Sequence, residues 1–186
     1  MFLVVEIMAR KTKEDWFKAG FVLLSETGEA GLTIDALISR MGVTKGSFYH
    51  HFNNRLAYSE ALLDFWEQEM TQQVINQSNI ESTPKDRIKR LTSITTKGTN
   101  PSLEVAIRAW ALRDPLVRGY QERVDKKRKA YCVFLSEGLT KNTSDAKMLG
   151  ELIFIVFVGA QQTIPAIKGK RLEELYAQLQ RMYQEH

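Results

Sequence analysis

Apolar residues recur along most of this chain at spacings of three and four, the repeat of helices buried along one face, and strand-like alternation is missing. Ile34, Leu37, Ile38 and Met41 form one such set, and Leu172, Leu175, Tyr176 and Leu179 form another. Three of the four prolines stand behind a residue that can cap a helix, at Thr83-Pro84, Asn100-Pro101 and Asp114-Pro115, where the absent proline N–H is not missed. Gly28, Gly42, Gly98 and Gly138 follow periodic stretches, where a left-handed glycine can close a helix. These signals predict an all-α protein of about nine helices, near 12–27, 33–41, 44–51, 54–78, 84–97, 101–112, 115–138, 143–164 and 169–184. The polar stretch 76–83 reads as a hinge between a small N-terminal unit and a larger C-terminal one.

Within the N-terminal unit, Trp16, Phe17, Gly20, Leu23 and Leu24 make a stripe along the first helix. Thr33 opens the second helix and Gly42 breaks it; after the turn Met41-Gly42-Val43, Thr44 caps a third, short helix. That spacing is the one by which a DNA-reading helix is braced across another. With Phe48 turned inward, Thr44 and Phe52 lie beside it, and Gly46, Ser47, Tyr49 and His50 face outward. Ser47, Tyr49 and His50 can donate to phosphates or base edges, Lys45 brings charge to the helix N-terminus, and Gly46 lets the backbone come close. His50 and His51 are adjacent, so they diverge around the helix and cannot chelate one metal; His51 reads as core-edge packing.

Gly28, Leu32-Thr33-Ile34, the run from Gly42 to Phe52 (GVTKGSFYHHF) and Arg55 together resemble the tetracycline-repressor (TetR) family of bacterial regulators, closely over residues 10–66. The segment 106–115 also resembles one subgroup of that family. The resemblance implies a cytoplasmic homodimer on a palindromic operator, with a helix-turn-helix domain at 10–55 and a helical effector-binding and dimerisation domain at 56–186. Carried over, Thr33, Thr44, Lys45, Ser47, Tyr49 and His50 match positions that face double-stranded DNA, Gly46 lies among them, and Arg55 matches a phosphate contact. Arg55 stands where lysine is commoner, and Ile38 where the family usually has alanine. The implied function is a ligand-responsive transcriptional regulator, a repressor released by a small-molecule effector. The competing reading is a helical adaptor that binds small molecules or protein without DNA.

Composition narrows the alternatives. The chain has 186 residues, 44% hydrophobic and 26% charged, with net charge +4, the balance of an ordinary folded protein. Its one cysteine, Cys132, excludes an internal disulfide framework, and an apolar helix should leave the thiol inert. No apolar run is long enough to span a membrane. Residues 1–9 read as a tail without a signal peptide's cationic start, and translation from Met8 is an alternative. Nucleophile elbow, P-loop, dinucleotide fingerprint and zincin motif are all missing from the sequence, so no enzyme, cofactor or metal is expected. Residues 1–58 carry seven Lys/Arg against six Asp/Glu, so attraction to DNA depends on local placement. The basic run 123–129 reads as a solvated helix face.

For an effector pocket, the candidates are Trp66, Arg108, Trp110, Tyr131 and Phe134, with core packing as the competing role. Residues 152–160 are apolar around the whole helix, which calls for a second partner. Leu152, Phe154, Ile155 and Val158, with Leu172, Leu175, Tyr176 and Leu179, are therefore expected to pair with their two-fold copies in a four-helix bundle.

Overall fold

The computed structural model describes residues 11–98 and 100–184, which form helices and short connections with no strand among them. The expected tail at 1–9 lies outside the described residues. Helix α1 (Lys13–Thr27) opens with a capping box in which the Asp15 N–H donates to Thr12 Oγ1 and Asp15 accepts from the Thr12 N–H. Its buried side carries Trp16, Phe17, Gly20, Leu23 and Leu24, as the periodicity predicts.

Helices α2 (Ile34–Met41) and α3 (Lys45–His51) follow, the first capped by Thr33 and closed by Gly42 in the left-handed region at φ 64°. Leu37 is fully buried, while Ile34, Ile38 and Met41 pack half-buried against the same core. Isoleucine at position 38 is thus accommodated as a core-edge residue.

Helix α4 (Arg55–Glu67) starts at Asn54, whose Oδ1 accepts from the Ala57 N–H at 2.8 Å. It does not run unbroken to residue 78 as the periodicity suggests. A π turn, Gln68–Gln72, interrupts it before α5 (Gln73–Ser78) completes the rod. A wider turn loosens the regular ladder, and here the Met70 carbonyl accepts from Arg128 Nη2 at 3.1 Å. Apolar spacing carries no trace of that distant partner.

The body continues with α6 (Pro84–Lys97), α7 (Pro101–Ala111), α8 (Pro115–Glu137), α9 (Thr143–Gln162) and α10 (Gly169–Gln184). Thr83, Asn100 and Asp114 each cap a helix through the side chain with proline at the next position. Gly98 and Gly138, expected in left-handed caps, instead have φ of −104° and −83°. Gly138 is small for a different reason: a β-carbon there would lie 2.4 Å from the Pro84 ring.

The stretch expected to hinge two units is tied down on both sides. Ser78 Oγ donates to the Arg87 carbonyl, Arg87 Nε to the Glu81 carbonyl, and Tyr131 Oη to Asn79 Oδ1. It is a corner inside the body.

Two apolar clusters hold these helices. The first runs from Trp16, Leu37 and Phe48 through Tyr58 and Leu62 to Ile107 and Val117, so α1 to α4 share one core with α7 and the start of α8. The second joins α6, the end of α8, α9 and α10 around Leu135, Leu149, Leu172 and Tyr176. Full burial of side chains this large stabilises by roughly 1.5–3 kcal/mol each.

Candidate nucleic-acid interface

The outward surface of α3 is built from the inside. Phe48 is fully buried, with its ring 5.5 Å from Trp16 in an edge-on contact and 5.4 Å from Phe52. The backbone behind Trp16 is fixed by Tyr58, whose hydroxyl donates to the Trp16 carbonyl at 2.9 Å. Burial pushes the Tyr58 hydroxyl well above the ordinary range, so it stays protonated as that donor. A helix of seven residues cannot hold itself together in water. The aromatic cluster holds it instead, and fixes which side faces out.

That side presents Thr44, Lys45, Gly46, Tyr49 and His50, all exposed, with Ser47 half-buried; Thr33 is exposed at the start of α2. Thr44 differs from expectation twice. It faces solvent rather than packing beside Phe48, and its side chain makes no cap bond. The Ser47 N–H already donates to the Thr44 carbonyl at 3.0 Å, so the hydroxyl is not needed for the cap. His51 leans on the core edge, its ring 6.2 Å from Trp16.

Arg55 is engaged within the chain. Its Nη2 lies 2.5 Å from Glu29 Oε1 on the short turn after α1, and a phosphate would have to compete with that carboxylate. The pair is half-exposed, where such bridges contribute only about 0–1 kcal/mol. A second exposed pair, Arg40 to Glu26, ties α2 to α1.

Beneath the π turn lies a cavity of about 50 Å³ walled by Met70, Thr71 and Val74 and closed by α6, α8, α9 and α10. Arg128 stands on its wall. Its guanidinium donates to Glu104 at 2.7 and 3.1 Å, to Thr71 Oγ1 at 2.9 Å and to the Met70 carbonyl. Glu104 also accepts from Trp66 Nε1 at 3.1 Å. Cys132 lies on the same wall with its thiol pushed up to about 12 by burial, so it is protonated and unreactive.

Residues 17–57 match the family model of the bacterial regulatory proteins, tetR family. That stretch is the tetR-type DNA-binding module of bacterial regulatory proteins. The chain's fold is shared along nearly the whole length by solved TetR-type structures. E. coli NemR in its reduced form is 20% identical over 93% of this chain and 98% of its own, with a TM-score of 0.77. The regulatory protein TetR from Rhodobacter sphaeroides is 19% identical over 91% and 97%, with a TM-score of 0.76. A transcriptional regulator from Saccharomonospora viridis solved in complex with choline is 13% identical over 94% and 95%, with a TM-score of 0.68. No curated protein matches the sequence.

Of the five pocket candidates, Tyr131 lines the cavity. Trp66 is buried behind Arg128, whose guanidinium carbon lies 5.4 Å from the indole centroid. Arg108 is held by Asp125 through bonds of 2.8 and 2.9 Å, and Trp110 donates to Asp114 in the first core cluster. Phe134 is 53% exposed, stacked on Tyr131 outside the wall. The basic run 123–129 is a solvated face at Arg123, Lys126 and Lys129, but not throughout. Arg123 and Lys127 clasp Glu67 of α4, and Arg128 is interior.

The residues expected at a two-fold interface also divide. Leu172 and Tyr176 belong to the chain's own second core, Leu175 and Leu179 pack half-buried against it, and Phe154 lines the cavity. Ile155 is 59% exposed, with Leu152 and Val158 half-buried beside it and Met148 exposed one turn earlier on α9. Sequence reasoning passed over Glu67, Met70, Thr71, Glu104 and Phe157. Glu104 and Arg128 are 24 residues apart on different helices, a separation that no helical periodicity marks.

Among the described residues, no three His, Cys, Asp or Glu side chains gather to hold a metal ion, and no helix is long and apolar enough to cross a membrane.

Proposed function

We propose that this chain is a cytoplasmic homodimeric repressor that binds a palindromic operator through α3 and releases it when a small molecule enters the cavity under the π turn. The observation that carries this reading is the surface of α3. Thr44, Lys45, Gly46, Tyr49 and His50 are exposed together on a helix oriented by a fully buried Phe48. Polar side chains and a bare backbone on a rigidly seated short helix suit a major groove.

The division at residues 10–55 and 56–186 is functional, with the head reading DNA and the body sensing the ligand. The two share an apolar core, which favours transmission between them. One rod joins them: the α4–α5 segment meets the head at Asn54 and Arg55 and forms the cavity wall at Met70, Thr71 and Val74. A ligand that displaces the wall moves the rod and so the spacing of two heads. A coupling of about 1–3 kcal/mol would change operator affinity by several-fold to roughly a hundredfold. The choline complex of the S. viridis regulator supports small-molecule binding by this fold. Met148, Leu152, Ile155 and Val158 on α9 supply the apolar stripe for two-fold pairing.

The test is a titration of the purified protein against duplex DNA from immediately upstream of its own gene, beside a scrambled duplex, at two salt concentrations. Sequence-preferring binding at two subunits per site, or a multiple of two, supports the reading. Failure to bind either duplex at low salt overturns it in favour of a DNA-independent adaptor.

A further inference from the structure

The cavity is electrically balanced before any ligand enters it. Among the side chains on its wall, Arg128 alone is charged at neutral pH, and Glu104 cancels that charge through two direct bonds. Cys132, Tyr131 and Tyr176 stay neutral because burial raises all three. A carboxylate in this space would leave one net negative charge buried, and an ammonium one net positive charge beside a guanidinium. Either is costly out of water, whereas an uncharged molecule leaves the balance intact.

The hydrogen-bonding inventory is also one-sided. Thr71 is 1% exposed; its Oγ1 accepts from Arg128 Nε, and its own hydrogen enters no bond among the described residues. Arg128 Nη1 carries two hydrogens, of which one goes to Glu104. Other wall hydroxyls are committed, Thr92 to the Lys89 carbonyl, Thr95 to the Leu91 carbonyl, Tyr131 to Asn79, and Tyr176 to a hydrogen bond with Thr95. Two neighbouring donors, one of them deeply buried, therefore remain on a largely apolar wall whose other hydroxyls are engaged. An acceptor is what they lack.

We propose that the cavity takes an uncharged, largely apolar molecule whose carbonyl oxygen accepts from Thr71 Oγ1 and Arg128 Nη1. This rests on the cavity being the effector site, and it names the chemical class of effector. At about 50 Å³ the space is smaller than such a molecule, so Met70 and Phe157 move aside as it enters. An unbranched methionine on the loosened π turn can repack without disturbing the core.

The experiment uses the full-length protein and four probes of similar size: acetophenone, ethylbenzene, benzoate and benzylamine, the last protonated at neutral pH. Calorimetric titration should give acetophenone at least tenfold tighter binding than benzoate or benzylamine, and several-fold tighter than ethylbenzene. Thr71→Val should abolish the preference for acetophenone over ethylbenzene, Thr71→Ser should keep it, and Val74→Phe should block both. Equal or tighter binding of benzoate or benzylamine, no gain from the carbonyl, binding that survives Val74→Phe, or no binding of acetophenone would each overturn the proposal. Operator affinity is read separately on the same samples. Acetophenone that binds as expected yet leaves operator affinity unchanged would sink the effector role of the cavity while leaving its ligand class standing.

Discussion

Arg128 of α8 and Glu104 of α7 meet in a two-pronged pair with contacts of 2.7 and 3.1 Å, and their side chains are only 10% and 7% exposed. Buried pairs of this kind contribute little net stability over apolar packing, but breaking one leaves an uncompensated interior charge. Glu104→Gln should therefore destabilise the chain by about 3 kcal/mol. Combining Glu104→Leu with Arg128→Met should recover most of that loss in urea unfolding. A double variant no more stable than Glu104→Gln would show that the pair matters for more than charge balance.

Gly20 is the point at which α1 approaches α4. A β-carbon there would lie 2.0 Å from Tyr58 Oη, the hydroxyl that holds the Trp16 carbonyl. Gly20→Ala gains helix propensity but overpacks this contact, and a net loss of about 1–2 kcal/mol is expected. Adding Tyr58→Phe should return part of it. Thermal unfolding of the two variants checks this, and an unchanged melting temperature for Gly20→Ala would refute it.

Gly46 has no such neighbour. A β-carbon there would meet only Thr44 Oγ1, at 3.7 Å, so the fold does not require glycine on the exposed side of α3. Gly46→Ala should stabilise the protein by about 0.5–1 kcal/mol through helix propensity while weakening operator binding, because the methyl group projects toward the groove. Unfolding and DNA titration on one preparation separate the two effects. Undiminished DNA affinity would mean that α3 does not approach DNA at this residue.

Glu67 predicts a pH dependence. Burial by itself raises its carboxyl, but hydrogen bonds and charge from Arg123 and Lys127 outweigh burial and hold it below the ordinary value of 4.5. A depressed folded-state value means that the contribution is fully present above 4.5 and is lost as the pH falls through the folded value. Wild type should exceed Glu67→Gln in urea stability at neutral pH, with the gap closing below 4.5. A gap that persists unchanged in strong acid would mean that Glu67 acts through packing.

The helices and their starts were legible because caps and periodicity are local. Thr83, Asn100 and Asp114 cap where they were expected, and the side of α3 that faces out follows from placing Phe48 in. Thr44 was misplaced because the angular position of a first-turn residue does not reveal whether anything packs over it. The pocket was harder. Bulk and aromaticity singled out Trp66 and Trp110, yet both spend their polar atoms inside the core, and Phe134 stacks outside. Met70 and Thr71 carried no signal until the helix around them opened into a π turn.

By itself, the sequence determined the all-helical character, the helix-turn-helix and most of its outward residues, Gly46, Tyr49 and His50 among them, since these depend on neighbours within a few positions along the chain. Only the tertiary structure decided that Arg128 points inward, that Arg123 and Lys127 pair with Glu67, that Arg55 rests on Glu29, and that Leu172 and Tyr176 close the chain's own core. A charge or a leucine on one helix finds its partner by the crossing of another, and partners tens of residues away leave no mark on local spacing.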